Sequence, residues 1–306
     1  MSLVKAKVVV SGQQNRFLDK YPEIAFEIYD YLVDNMISDQ AVAFSKQLLQ
    51  QMVLNPGLYL DIEASSKSPM NIDRSKINSN TPEGKKFNEI YDDALVKSPE
   101  FQKLFIDIFK DGTRSNVKFE IDDHVHEDND TTKKEVNAIT ILDPVTKIII
   151  IKISKQILIA GTTKSQTKIE NAKTILHECI HAYLFIKAKN PSIGADFVKI
   201  LNSMYPNTKE QHDFMYGKMI PTMQKILGEI RDLITTTPKR VILENDVIIH
   251  PTPSTSKSWN WNDYYFNLSL NGLDQTSCFI EDHPNNSNAL SLFNQYISHG
   301  HNELDK

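Results

Sequence analysis

The chain has 306 residues, of which 40% are hydrophobic and 24% charged, and a formal net charge of −5. That length and apolar content suffice for one large packed domain or two modest ones, and they exclude a disordered or fibrous chain. The 34 basic residues are scattered rather than striped, which argues against a nucleic-acid partner, and two cysteines, Cys179 and Cys278, are too few for a disulfide framework or a four-cysteine zinc ribbon.

The longest apolar run, residues 182–186, falls far short of the roughly 18 residues that cross a bilayer, so no membrane-spanning helix is expected. Residues 1–10 carry positive charge without the apolar stretch of a secretory signal. A cytoplasmic protein, or one exported by a non-classical bacterial route, is the expectation.

Residues 15–110 read as helical, with apolar positions at helical spacing in Phe17, Tyr21, Ile24, Ile28, Tyr29 and Leu32, and again in Leu104, Phe105 and Ile108. Loops are expected at residues 63–69 and 78–82, the second ending on Pro82 as a helix start. After Gly112 the period shortens to strand type over residues 117–121, 136–142 and 147–153, the last two joined as a hairpin through Asp143-Pro144-Val145-Thr146.

Thr167 followed by Glu170 fits a capping box, so a helix should run from there to about Lys189, where Asn190-Pro191 stops it. A second capping box, Thr208 with Gln211, opens a helix whose apolar face takes in Met215, Tyr216, Met219, Met223, Ile226, Leu227 and Ile230, kinked at Pro221. Beyond it, residues 235–259 look irregular, with a hairpin in 241–250 and a polar loop over 251–256. The fold class expected is α+β: a helical region over residues 1–112, then a domain over 113–306 in which a small sheet packs on the helix after Thr167.

That helix carries His177-Glu178-Cys179-Ile180-His181. Residues four apart share a helix face, so both imidazoles can reach one ion, while Glu178, turned by roughly 100°, sits beside it and can accept a proton from water. With 9 histidines in the chain, a chance His-Glu-x-x-His arises with a probability on the order of 1%. Cys179 faces away from the ion and reads as core.

A catalytic zinc takes three protein ligands plus water. Leu184 and Lys187 occupy the positions where an extended motif would need glycine and a third histidine, so the third ligand must come from a later element. His212 is the leading candidate there, with Glu210, Asp213 and Glu229 as competing oxygen donors. His124-Val125-His126-Glu127-Asp128 reads as a polar turn rather than a second cation site, and His299 and His301 as a frayed end. Tyr265, or its neighbour Tyr264, is a candidate donor to a developing oxyanion.

The segment from Thr174 to Leu184 resembles the active-site helix of SprT-like zinc metallopeptidases of the zincin (HExxH) type. Gln211-His212-Asp213-Phe214-Met215 is similar to a His-acid-x-Met segment of a bacterial subgroup, often toxin-like or phage-associated, which implies His212 as third ligand. The segment from Tyr264-Tyr265 through Leu273-Asp274-Gln275-Thr276 is similar to a Gly-Leu-x-x-Thr stretch near the end of the same subgroup's domain, although Leu270-Asn271 stands where it has tryptophan-glycine.

The resemblance covers about residues 98–284 and implies a zincin-like domain with Zn2+ as cofactor and a protein or peptide as substrate. Residues 147–153 are the expected edge strand for an extended peptide. The competing expectation is a binding or structural module that holds zinc without hydrolysis; a closed structural site would normally show four cysteine or histidine ligands.

Overall fold

A computed structural model of the chain describes residues 2–9, 11–34, 36–54, 72–106, 117–143, 148–188, 214–251, 254–274 and 276–306. The architecture is mixed α and β. Helices α1 (Ser2–Lys7), α2 (Gly12–Lys20), α3 (Pro22–Asp34) and α4 (Asp39–Leu54) pack on one another. Strand β1 (Ile72–Lys76) follows, then α5 (Pro82–Asp93) and the short α6 (Pro99–Phe101), which continues as a π turn over Gln102–Ile106.

The sheet strands are β2 (Val117–Asp122), β5 (Ala138–Leu142) and β6 (Ile149–Ser154), with a separate two-stranded ribbon of β3 (Val125–His126) and β4 (Glu135–Val136). After α7 (Lys155–Leu158) come the long α8 (Lys168–Ala188) and α9 (Ile220–Ile234), then α10 (Thr237–Glu244) and a hairpin of β7 (Val247–Pro251) and β8 (Ser254–Ser258). Helices α11 (Trp261–Leu270), α12 (Ser277–Asp282) and α13 (Asn288–Glu303) complete the described chain. Among the described residues no helix is long and apolar enough to cross a membrane.

The main sheet has the order β1-β2-β6-β5. The first three strands run parallel and β5 closes the edge antiparallel, in the expected hairpin with β6 that sets Thr140 opposite Ile151. Residues 144–147 of its turn lie outside the described residues. Helix α8 crosses the sheet over β5 and β6 and packs on its other side against α9. Phe87 and Tyr91 of α5, Phe101, Phe105 and Phe119 of β2 form one aromatic cluster, Phe87 and Phe119 having ring centroids 5.4 Å apart. Each such ring, fully buried, contributes roughly 1.5–3 kcal/mol through apolar burial.

Several sequence expectations need correction. Ile72–Lys76 is a strand inside the region read as helical; its backbone pairs with β2, so the sheet draws strands from both sides of residue 112. Tyr29, placed on a core face by its spacing, is exposed. Residues 147–153 are not an edge, because β6 is paired on both sides, with β2 and with β5. The late hairpin lies at 247–258 rather than 241–250; Val241–Glu244 completes α10, whose N–H groups are used within the helix, and the polar stretch 254–258 borrows its pairing from β7.

The terminal histidines are not frayed, since α13 holds them against Asp246 and Glu170. Pro221 follows a π turn over Met215–Met219 that runs without a break into α9, so the irregularity expected at the proline is a widened turn just before it. The loop at 63–69, Ile108, the capping box Thr208–Gln211 and Asn190-Pro191 lie outside the described residues.

Candidate metal centre

Helix α8 starts at the capping box read from the sequence. The Thr167 N–H donates to Glu170 Oε2 at 2.7 Å, and the Glu170 N–H donates back to Thr167 Oγ1 at 3.3 Å. From residue 169 to 180 every side chain is buried, so this stretch of the helix has no solvent face and its polar groups must be satisfied inside the protein.

Most of those groups serve the fold. Glu170 Oε2 also lies 3.0 Å from His301 Nδ1, Asn171 donates to the carbonyls of Ile157 and Gln166 at 3.1 and 3.3 Å, and Thr174 donates to Gln166 Oε1 at 3.2 Å. Lys173 donates its ammonium to the carbonyl of Asn271 in the turn after α11. Burial pulls Lys173 down to about 8, against the opposing attraction of Glu178, Glu170 and Asp274.

His177, Glu178 and His181 are left as a group. The two rings lie on one helix face with centroids 4.5 Å apart and their Nε2 atoms 3.0 Å apart. Two imidazole nitrogens holding one tetrahedral zinc at about 2.0–2.1 Å stand about 3.3 Å apart, so a few tenths of an ångström separate this pair from a clamp. Glu178 Oε2 is 3.7 Å from His181 Nδ1, and the ligand atoms of all three residues lie within 4.8 Å of one another. Among the described residues no other cluster of His, Cys, Asp or Glu is placed to hold a metal.

The electrostatics suit a cation. Burial, with His181 and Lys173 adding to it, holds the His177 imidazole well below its ordinary range; burial and Lys173 bring His181 down to about 3. Both rings are therefore neutral at pH 7 and offer lone pairs. Burial raises Glu178 to about 7, opposed by the hydroxyl of Thr140 and by the charge of Lys173. The Thr140 hydroxyl donates to Glu178 Oε2 at 2.7 Å from the middle of β5. Edge strand β5 and helix α8 thus meet at the carboxylate.

Of the other candidates, His212 lies outside the described residues, as do Glu210 and Asp213. Glu229 is engaged elsewhere: it accepts from the Ser98 hydroxyl at 2.5 Å and from the Glu100 N–H at 3.2 Å, at the start of α6. Cys179 is buried in the core as expected, and burial raises its thiol. Tyr265 is buried among Trp261, Tyr264 and the backbone of Gly228, with Arg231 beside its hydroxyl. His124 and Glu135 pair at 3.0 Å within a polar turn region that also holds Lys164.

Thr140 and Lys173 were not singled out by sequence reasoning. Lys173 had a signal, since Lys173, His177 and His181 repeat every four residues along one face. Thr140 had none, because a β-branched residue between isoleucines reads as ordinary strand.

No family model matches this chain, and neither do the curated proteins or solved structures compared with it. The likeness to SprT-like metallopeptidases therefore rests on the residues quoted above.

Proposed function

We propose that this protein is a zinc-dependent metallopeptidase, and that residues 98–284 form a zincin-like catalytic domain, possessed of the kind of activity found in bacterial effector or toxin modules. The observation that supports it most is the buried trio of His177, Glu178 and His181 on a helix stretch, residues 168–180, whose other polar side chains have structural partners. His177 and His181 are the two imidazole ligands, and His212 is the third. A zinc ion held by them supplies Lewis acidity to water and to the scissile carbonyl.

Glu178 is the general base. Its carboxyl titrates at about 7, so near neutral pH it can both take a proton and give it up, which is the condition for efficient transfer. Thr140 fixes the carboxylate oxygen that it touches, which orients the buried carboxylate beside the two imidazoles. Tyr265 is the proposed oxyanion donor, a role that requires its hydroxyl to exchange Arg231 for substrate. The substrate is a protein or peptide laid along β5, the edge strand, whose outer backbone groups permit pairing with an extended chain.

The test is hydrolysis of unstructured protein substrates by the zinc-loaded protein, with and without chelator, alongside Glu178→Gln. Chelator-sensitive cleavage that Glu178→Gln abolishes without loss of zinc is expected. Zinc binding with no cleavage, in wild type and variant alike, would leave the non-catalytic module in its place.

A further inference from the structure

Helix α3 is apolar on two sides. Ile24, Ala25, Ile28, Tyr31 and Leu32 are buried, as an amphipathic helix requires. On the outside, Phe26, Tyr29 and Val33 are 57%, 39% and 46% exposed, and Met36, just past the helix, is 90% exposed. At 100° per residue the first three fall within about 60° of arc, and their spacing, three residues then four, is that of a helix–helix seam.

The helix end keeps this stripe in water. The Ile37 N–H donates to Leu32 O at 2.7 Å and the Met36 N–H to Val33 O at 3.0 Å, the two bonds of a Schellman cap. The residue placed at the left-handed position of such a cap is normally glycine; here it is Met36, with φ 52°, followed by Ile37 at the same φ. Two bulky apolar side chains therefore occupy a strained turn with one of them almost wholly exposed.

One flank of the stripe is acidic. Glu23, Asp30 and Asp34, all exposed, occupy an arc of about 40° that begins about 40° from Phe26. None of the three forms an ion pair among the described residues, and α3 contains no lysine or arginine. In the heptad set by Phe26, Tyr29 and Val33, Glu23 and Asp30 take the position beside the seam that reads a partner's charge.

We infer that this face of α3 docks an amphipathic helix of a partner protein, with apolar residues along its seam and lysine or arginine beside them. Helix α3 of a second copy offers no such cation: antiparallel pairing sets acids against acids, and parallel pairing sets them against Ala25 and Leu32. An anionic lipid surface would be repelled by the same row of carboxylates.

The probes are two designed helical peptides with leucine seams, one with lysine and one with glutamate at the flanking positions, titrated against the full-length protein. The lysine peptide should bind about tenfold more tightly or better, weaken with salt, and protect backbone amides of residues 22–37 from exchange. Phe26→Ser with Val33→Ser should abolish binding while leaving the melting temperature unchanged, because both side chains are exposed. Glu23→Lys with Asp30→Lys should reverse the preference toward the glutamate peptide. Absence of binding by either peptide, equal affinity for both, self-association that depends on Phe26 and Val33, or retention on phosphatidylserine vesicles would each overturn the inference.

Discussion

The hydroxyl of Thr140 touches Glu178 at two points, 2.7 Å from the carboxylate Oε2 and 3.1 Å from the same residue's backbone carbonyl. A hydroxyl has one proton to give, and the shorter contact assigns it to the carboxylate. This bond ties the edge strand to the metal helix at the residue proposed as base. Thr140→Val keeps the shape and removes the donor, so the buried carboxylate loses its partner at a cost of about 1–3 kcal/mol. Its hydrolytic rate should fall at least about tenfold through misplacement of the base. Thr140→Ser should restore both, and urea denaturation with a cleavage assay measures them. Equal stability of the valine and serine variants would remove Thr140 from this role.

A second prediction concerns the C-terminus, which holds the start of the metal helix. Glu170, besides its cap, meets His301; the Lys168 N–H donates to the carbonyl of Asp305 at 2.7 Å, and the Asp305 carboxylate accepts from the Thr236 N–H at 2.7 Å. Gly300 makes the close approach possible, since a Cβ there would lie 2.4 Å from the ring of Tyr264. His301→Ala should cost about 1 kcal/mol. Removing residues 304–306 should speed amide exchange at residues 168–170 while leaving α4 unchanged. Exchange that stays protected in the truncated chain would show that the clamp carries no weight.

What could be read from the sequence was what is local. His177 and His181 four apart, the Thr167–Glu170 capping box and the isoleucine-rich strand run read over residues 147–153 each need only near neighbours, and each is found, the last as Ile149–Ser154. Strand β1 has a single apolar residue, Ile72, and β8 is Ser-Thr-Ser-Lys-Ser; both are strands because another segment supplies their hydrogen bonds. The same holds at the site. Lys173 is buried because the Asn271 carbonyl receives it, and His301 is ordered because Glu170 does, and neither partner is near in sequence.

Metal content should separate the roles proposed for the motif. His177→Ala, His181→Ala and His212→Ala each remove an imidazole donor, so zinc affinity and the melting-temperature gain on adding zinc should both shrink. Cys179→Ala, which alters only the core, should keep about one zinc per chain. Tyr265→Phe should also keep its zinc and lose turnover; normal turnover would acquit it as oxyanion donor. Elemental analysis reads the first three, and retention of zinc by His212→Ala with loss in a Glu210 or Asp213 variant would reassign the third ligand.

The last prediction is a pH dependence of the metal-free protein. An unfolded histidine takes up a proton near 6.5, whereas folded His181 does so only near 3 and folded His177 well below 6.5. Below pH 6.5 the unfolded chain therefore binds up to two more protons at these residues, and the stability gained by keeping the rings neutral is lost as pH falls. Glu178 works the other way. Its folded value of about 7 lies above the ordinary 4.5, so between those limits the folded state holds the extra proton, and that contribution is lost as pH rises through 7. Between pH 4.5 and 6.5 the two histidines act together against Glu178, so stability should fall on acidification. Glu178→Gln removes the opposing group, so its stability should fall more steeply in that window. The variant should also be more stable than wild type by about 3 kcal/mol at pH 8, where wild type buries an ionised carboxylate, and equal to it near pH 4. Urea denaturation of both metal-free proteins from pH 4 to 8 measures the difference, and parallel curves would mean that Glu178 is solvated in the folded state rather than enclosed with the two histidines.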